Sequence, residues 1–238
     1  MNSTQPASPV AVVTGGSHGL GRALAASLVG DNWQVVIDGR RGHDLARTAA
    51  EIDSPRLVPI AGDVADPAHR DAVVAAAASL GTVSLLVNNA STLGPSPMPP
   101  LRGYPVVKLC QVYDVNVFAP LELTQLLLPS LRATNGVVVN ISSDAAVEAY
   151  AGWGGYGSAK AALDQLTAVL GVEEPDVHVY GFDPGDMRTA MHQLAFPGED
   201  ITDRPSAASV VPRLRALIQQ RPASGRYRSA DGESLVAS

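Results

Sequence analysis

Tyr156 and Lys160 stand four residues apart, and Ser143 precedes Tyr156 by thirteen. Side chains at i and i+4 of a helix share one face, so this spacing sets an ammonium beside a phenol. A neighbouring positive charge favours the phenolate and lowers the tyrosine pKa from its ordinary value near 10. A tyrosine tuned in this way can serve as a general acid or base at neutral pH. A hydroxyl arriving from a preceding strand, Ser143, could then hold a substrate oxygen beside it. Ser142 should point away from that face, because side chains alternate along a strand. The triplet alone does not name a reaction; its meaning depends on the elements that position it.

Those elements alternate between short β-branched runs and Ala/Leu-rich segments of helical period. Strands are expected at 10–14, 34–38, 56–60, 83–87, 136–142 and 177–182, with a short last one at 225–229. Helices are expected near 20–30, 44–52, 67–80, 106–131, 154–170 and 206–219. Strands this apolar are buried on both faces, as in a parallel sheet covered by helices. The alternation predicts a Rossmann-like, doubly wound α/β fold of six to seven strands with right-handed crossovers. With no repeat and no linker, residues 1–238 read as a single domain. Two irregular stretches follow strand ends, where such folds bind ligands: the Pro-rich 93–104 and the segment 186–205, which has the length of a substrate lid.

Composition narrows the function classes. The 238 residues are 46% hydrophobic and 17% charged, with a net charge of −6, which suits a dense globular interior and argues against a nucleic-acid partner. Cys110 is the single cysteine, so no internal disulfide and no cysteine-based metal site is expected, and the five histidines lack metal-ligand spacing. His43 and His69 read as surface residues near helix starts. The polar segment 1–8 is unlike a signal peptide, and every long apolar stretch is interrupted before it could span a bilayer. A soluble cytoplasmic protein is the expectation.

The first strand runs into Thr14-Gly15-Gly16-Ser17-His18-Gly19-Leu20-Gly21 and then a helix. Glycines at such a turn permit close approach of a pyrophosphate, whose charge sits at the helix N-terminus. The spacing is Gly-x-x-x-Gly-x-Gly, and its place directly after the first strand points to a dinucleotide.

In these features the chain resembles the short-chain dehydrogenase/reductase family over nearly its whole length. Thr14–Gly21 is similar to that family's cofactor turn, Asp63-Val64 to the pair that contacts the adenine, and Asn88-Asn89-Ala90 to the motif bracing the sheet beside the cofactor. Asn116 falls where the family keeps a catalytic asparagine, and Ser143, Tyr156 and Lys160 complete the tetrad. Pro184-Gly185-Asp186-Met187-Arg188-Thr189 is similar to the Pro-Gly-x-x-x-Thr turn beside the nicotinamide. The resemblance implies hydride transfer, with Tyr156 giving a proton to a carbonyl or taking one from an alcohol. It implies that Ser143 holds the developing alkoxide, that Lys160 binds the nicotinamide ribose and keeps the Tyr156 pKa low, and that Asn116 holds a water linking Lys160 to solvent.

The end of the second strand reads Asp38-Gly39-Arg40-Arg41. An acidic residue there would bind the ribose 2′-hydroxyl of NAD and repel a 2′-phosphate. In NAD-using relatives the acid stands at the position occupied here by Gly39, whereas Arg40 follows as in many NADP-using ones. Asp38 comes one residue early and should point the other way. His18 sits where NADP-preferring relatives often carry a base. NADP(H) is therefore favoured over NAD(H), the alternative being that Arg40 and Arg41 simply open a solvated helix. Tyr150, Trp153, Met187, Met191, His192 and Phe196 either line an apolar or aromatic carbonyl pocket or pack a lid onto the body.

The sequence departs from the family pattern in places. Ser91 replaces the glycine that often ends Asn-Asn-Ala-Gly. Glu173-Glu174-Pro175 ends the helix after Tyr156 early, and Glu233 stands where relatives often have glycine, which puts a tetramer in doubt and favours a homodimer through the helices near 106–131 and 154–170. A ketoreductase-type oxidoreductase acting on a small carbonyl or alcohol is the leading reading. A non-catalytic nucleotide-binding regulator on this fold, or a cofactor-using isomerase or dehydratase, stays open beside it.

Overall fold

The computed structural model describes residues 8–230. The polar segment 1–7 and the tail from 231, including Glu233, lie outside the described residues. Seven parallel strands form one sheet in the order β3-β2-β1-β4-β5-β6-β7. They are β1 (Val10–Val13), β2 (Gln34–Gly39), β3 (Leu57–Ala61), β4 (Val83–Asn88), β5 (Val137–Ile141), β6 (His178–Asp183) and β7 (Gly225–Arg228). The order reverses between β1 and β4, so a crevice opens there at the carboxyl ends of the strands.

Helices α1 (Gly19–Gly30), α2 (Gly42–Ile52), α3 (Pro67–Leu80), α4 (Val106–Tyr113), α5 (Ala119–Ala133), α6 (Gly154–Glu173), α7 (Ala190–Ala195) and α8 (Ala207–Gln220) complete the chain order. β1 and β5 are buried at every position, as expected of strands sandwiched between helix layers. Alternate strand residues feed two cores. Val13, Val35, Val87 and Tyr180 pack toward α1 and α8, while Val12, Val36, Leu86 and Val138 pack toward α3 and α5. β3 and β7, at the two sheet edges, are the least covered strands, β3 alone having exposed positions among the described strands.

Two expectations need correction. The single helix expected near 106–131 is two helices joined by a π-helical turn, Asp114–Phe118, with Asn116 at its centre. Such turns insert an extra residue into the ladder and recur at functional sites. The apolar period runs through this turn, so it left no mark on the pattern. Secondly, the segment 186–205 is not wholly irregular, for it holds α7, capped by the Thr189 hydroxyl, which accepts from His192 N at 3.2 Å.

Candidate active site

The glycine turn between β1 and α1 is fixed by its neighbours. Gly15 has φ +65°, and a Cβ there would stand 2.9 Å from Ala90 Cα. A side chain at Gly21 would meet Asn89 Nδ2 at 2.5 Å. Asn89 Nδ2 donates to the carbonyls of Thr14 and Gly15, at 2.8 and 3.2 Å. In return the Thr14 hydroxyl accepts from the amides of Asn89 and Ala90, at 3.0 and 2.9 Å.

Asp38 completes the brace. Its carboxylate is 2% exposed and accepts from Gly15 N at 2.6 Å. Its other oxygen lies 3.2 Å from His69 Nε2. His69 is therefore buried in α3, contrary to the surface position expected of it. Gly62, lacking a side chain, leaves the space its ring fills.

No side chain caps the N-terminus of α1, whose N-cap residue is His18. Its first-turn amides thus face the crevice with the polarity that suits an anion. Further along, His18 Nδ1 pairs with Ser17 Oγ at 2.9 Å, and burial lowers its pKa against the opposing pull of Asp44. Arg41 Nε lies 2.5 Å from Asp44 Oδ2. Burial alone would push Asp44 up, but Arg41, with His43, His18 and Arg47, holds its carboxyl below the ordinary range. Arg40 is exposed on the rim of the same cleft.

A ladder of polar side chains ties β4, β5 and α6. Asn88 Nδ2 donates to Asn140 Oδ1 at 2.8 Å, and Asn140 Nδ2 to the Thr167 hydroxyl of α6 at 2.8 Å. Ser143 caps the short turn Asp144–Ala146, accepting from Ala145 N at 3.2 Å, and donates its own proton to Asp144 Oδ1 at 2.9 Å. Tyr156 and Lys160 project from one face of α6, as their spacing dictates, and both are buried.

Their electrostatics differ from the expectation. Burial pushes the Tyr156 phenol up to about 12, with hydrogen bonds to Ser143 and Ser91 working the other way. Burial also pulls Lys160 down to about 8, opposed by Asp164. Lys160 Nζ donates to the Ile141 carbonyl at 2.6 Å and sits 5.6 Å from the Tyr156 ring centroid. The i, i+4 spacing brings the two side chains to one face, but the ammonium is aimed at the Ile141 carbonyl, and burial is the largest influence on the phenol.

Asn116 is 1% exposed and locked onto Thr92, accepting from its amide and donating to its carbonyl, each at 2.9 Å. One guanidinium joins α6, the end of β6 and the backbone at Ser143. Arg226 of β7 donates to Asp164 of α6, to Asp183 at the end of β6 and to the Ser143 carbonyl, each at 3.0 Å. Asp183 also accepts from Gly185 N at 3.0 Å, which fixes the Pro184–Gly185 turn. The sequence reading missed Arg226, Asp164, Asp183 and Asp144. The first three lie far apart in the chain and carry no local motif.

All of this surrounds one cleft of about 720 Å³, large enough for a dinucleotide end and a small substrate. Asp63 and Val64 after the edge strand β3, Arg40 and Arg41 after β2, and Gly15, Ser17, His18, Gly19 and Leu20 after β1 line one part of it, with Asn89 and Ala90, after β4, next along. Ser143, Tyr156, Lys160, Pro184, Gly185, Met187 and Thr189 line the other. Gly21 and Asn116 act from behind the wall. Trp153 and Met191 also line the cleft, packed with Leu93, Met98 and Tyr156 in an apolar cluster. Tyr150 does not line it. Its hydroxyl is directed at Asp144 Oδ2 and Glu148 Oε2, at 3.0 and 2.8 Å, and the residue is 42% exposed. Phe196 packs on Trp153 and His192, with ring centroids 5.8 and 4.9 Å apart. Among the described residues no group of three or more His, Cys, Asp and Glu could hold a metal ion.

The pattern of the short chain dehydrogenase family matches residues 9–200. Sepiapterin reductase of Meriones unguiculatus is 33% identical over 237 residues, covering 91% of this chain and 84% of that protein. Serine 3-dehydrogenase of Agrobacterium fabrum is 35% identical over 183 residues, covering 75% of this chain and 72% of that one. Among solved structures, a short chain dehydrogenase from Escherichia coli CFT073 complexed with NADPH superposes with a TM-score of 0.86 at 27% identity, covering 93% of this chain and 96% of that one.

Proposed function

The chain belongs to the short-chain dehydrogenase family, and from that premise we propose that it is an NADP(H)-dependent oxidoreductase reducing a small carbonyl to an alcohol. The observation that carries this reading is the convergence of Ser143, Tyr156 and Lys160 on one cleft whose far end is an uncapped helix N-terminus beside His18, Arg40 and Arg41. The residues fit a dinucleotide: the turn packs so closely on Ala90, Ile37 and Asn89 that a Cβ at Gly15, Gly16 or Gly21 would clash, and cations gather where a 2′-phosphate would lie. Bound there, NADPH supplies hydride. The α1 amides hold its pyrophosphate, Arg40 and Arg41 its 2′-phosphate, Asp63-Val64 its adenine and the Pro184–Thr189 turn its nicotinamide.

Tyr156 gives its proton to the carbonyl oxygen. A phenol held near 12 keeps that proton until a strong base develops beside it, and an alkoxide is such a base. Ser143 donates to the same oxygen, stabilising charge that exists only in the transition state. To do so it must turn from Asp144. Lys160 holds the ribose side of the site, and Asn116 fixes the loop after β4 through Thr92. The apolar wall of Leu93, Met98, Trp153 and Met191 suits an apolar or aromatic carbonyl, and 186–205, with α7, closes over it as a lid. The Ser96 hydroxyl, donating to Leu194 O at 2.8 Å, ties this segment to the Pro-rich loop.

Residues 1–238 act as one domain in this reading, and a homodimer forms through α4, α5 and α6, where Val106, Val107, Phe118, Leu126, Val169 and Val172 are exposed. No described helix is long and apolar enough to cross a membrane. A screen of ketones, aldehydes and diketones with NADPH and with NADH tests the function. Turnover of a carbonyl with NADPH is expected, and binding of NADPH without turnover of any carbonyl or alcohol would favour the regulator instead.

A further inference from the structure

The Pro184–Gly185 turn is held at its root by one carboxylate with two tasks. Asp183, at the end of β6, accepts from Gly185 N through Oδ1 and from Arg226 Nη2 through Oδ2, each at 3.0 Å. Gly185 takes φ +69°, so the bend is defined at the residue whose amide Asp183 holds.

Alternation along β7 explains how Arg226 arrives. Tyr227 packs into the core beside α1 and α8, so Arg226 and Arg228 face the other side of the sheet, toward α6. Arg226 pairs with Gly181 across the β6–β7 ladder. A Cβ at Gly181 would stand 3.3 Å from Asp164 Oδ1 and 3.9 Å from Arg226 Cγ, so the glycine leaves a lane along which the guanidinium crosses β6. Beyond that lane, Nε donates to Asp164 Oδ2, and Nη2 donates to Asp183 and to the Ser143 carbonyl after β5. A planar guanidinium fork suits three acceptors in fixed places.

The charges match as well. The side chains of Asp183 and Asp164 are only 3% and 15% exposed, and both face Arg226; Asp183 also has Arg228 Nε at 3.6 Å. Carboxylates so covered from water are costly unless paired. Arg226 thereby ties the root of the turn to the backbone of Ser143 and to α6, at the residue one turn beyond Lys160.

We propose that Arg226 is a positioning residue for the nicotinamide half of the cofactor. It does not line the cleft; through Asp183 it registers the Pro184–Gly185 turn against Ser143 and α6. The adenine half, held at the turn after β1 and by Arg40 and Arg41, does not depend on it.

The inference rests on the reading of the cleft as an NADPH site, and its test needs no carbonyl substrate. Calorimetry compares NADPH with adenosine 2′,5′-bisphosphate, which has the adenine half and no nicotinamide. Arg226→Gln should weaken NADPH binding about fivefold or more and adenosine 2′,5′-bisphosphate binding less than about twofold. Unfolded protein lowers the number of sites and leaves both Kd values alone. Since Arg226→Gln removes the guanidinium facing Asp164, the double variant Arg226→Gln with Asp164→Asn is measured beside it and should show the same selectivity. Asp183→Ala should also weaken NADPH selectively, and adding Arg226→Gln to it should cost less than about twofold more, because Arg226 acts through Asp183. An NADPH Kd that changes no more than that of adenosine 2′,5′-bisphosphate overturns the proposal. So does an Asp183→Ala, Arg226→Gln variant whose two losses multiply. Carbonyl reduction stands or falls separately, by the carbonyl screen and the turnover of Tyr156→Phe.

Discussion

The two ends of the cleft are built on opposite terms. At the nucleotide end, the polar groups of the turn are answered: Thr14 by the Asn89 and Ala90 amides, Gly15 N by Asp38, and Asp38 in turn by His69. At the catalytic end, two ionisable groups are buried and both are driven toward their neutral forms, Tyr156 up to about 12 and Lys160 down to about 8. A binding turn gains from rigidity, so its hydrogen bonds stabilise the fold as well. Groups that must exchange protons are kept poised, and the fold carries that strain.

The largest effect should come from breaking the braced end. Asp38→Ala leaves the Gly15 amide and His69 without their partner and should lower unfolding free energy by about 2–4 kcal/mol in denaturant titrations. A loss below about 0.5 kcal/mol would mean that the turn does not depend on Asp38.

At the poised end the sign reverses. A buried ammonium whose pKa falls from 10.5 to about 8 costs native stability wherever it is charged, in full below pH 8. Between pH 8 and 10.5 the unfolded chain binds the extra proton, so native stability rises with pH over that window. Lys160→Met should therefore be more stable than wild type at pH 7, by about 1–3 kcal/mol, and lose that advantage as pH rises from 8 to 10.5. Tyr156 runs the other way: held up to about 12 against an ordinary 10, it makes native stability fall as pH rises between those values. Thermal melts of Lys160→Met and Tyr156→Phe against wild type across this range check both signs.

A smaller effect separates the cofactors. Arg40→Ala combined with Arg41→Ala should weaken NADPH binding roughly tenfold and NADH less than about twofold, measured by calorimetry. A wild-type Kd for NADPH above that for NADH would overturn the assignment of the arginines.

The strands, the glycine turn and the shared face of Tyr156 and Lys160 on α6 were legible in the sequence because each is a contiguous or regularly spaced pattern. Asp38 was expected, from alternation along β2, on the other side of the strand from Gly39, and its carboxylate is taken up by Gly15 N and His69. The surroundings of that side chain were not legible. His69 is thirty-one residues further on, and only the packing of α3 against β2 brings it in. The same holds for Arg226, which meets Asp164 and Asp183 from sixty-two and forty-three residues away. The Tyr156 pKa was misjudged because i, i+4 spacing fixes a face and not a direction, and Lys160 Nζ spends its charge on the Ile141 carbonyl. Ser91 was visible only as a departure from the family motif; its bond to Asn116 Oδ1 appears only in the fold.

The most direct test of the central claim compares wild type with Tyr156→Phe for NADPH oxidation on the carbonyl found by screening, with NADPH affinity measured on both proteins. The variant should lose at least about a hundredfold in kcat while its NADPH Kd stays within about twofold of wild type. Turnover within a few-fold of wild type would show that Tyr156 is not the proton donor and would contradict the account.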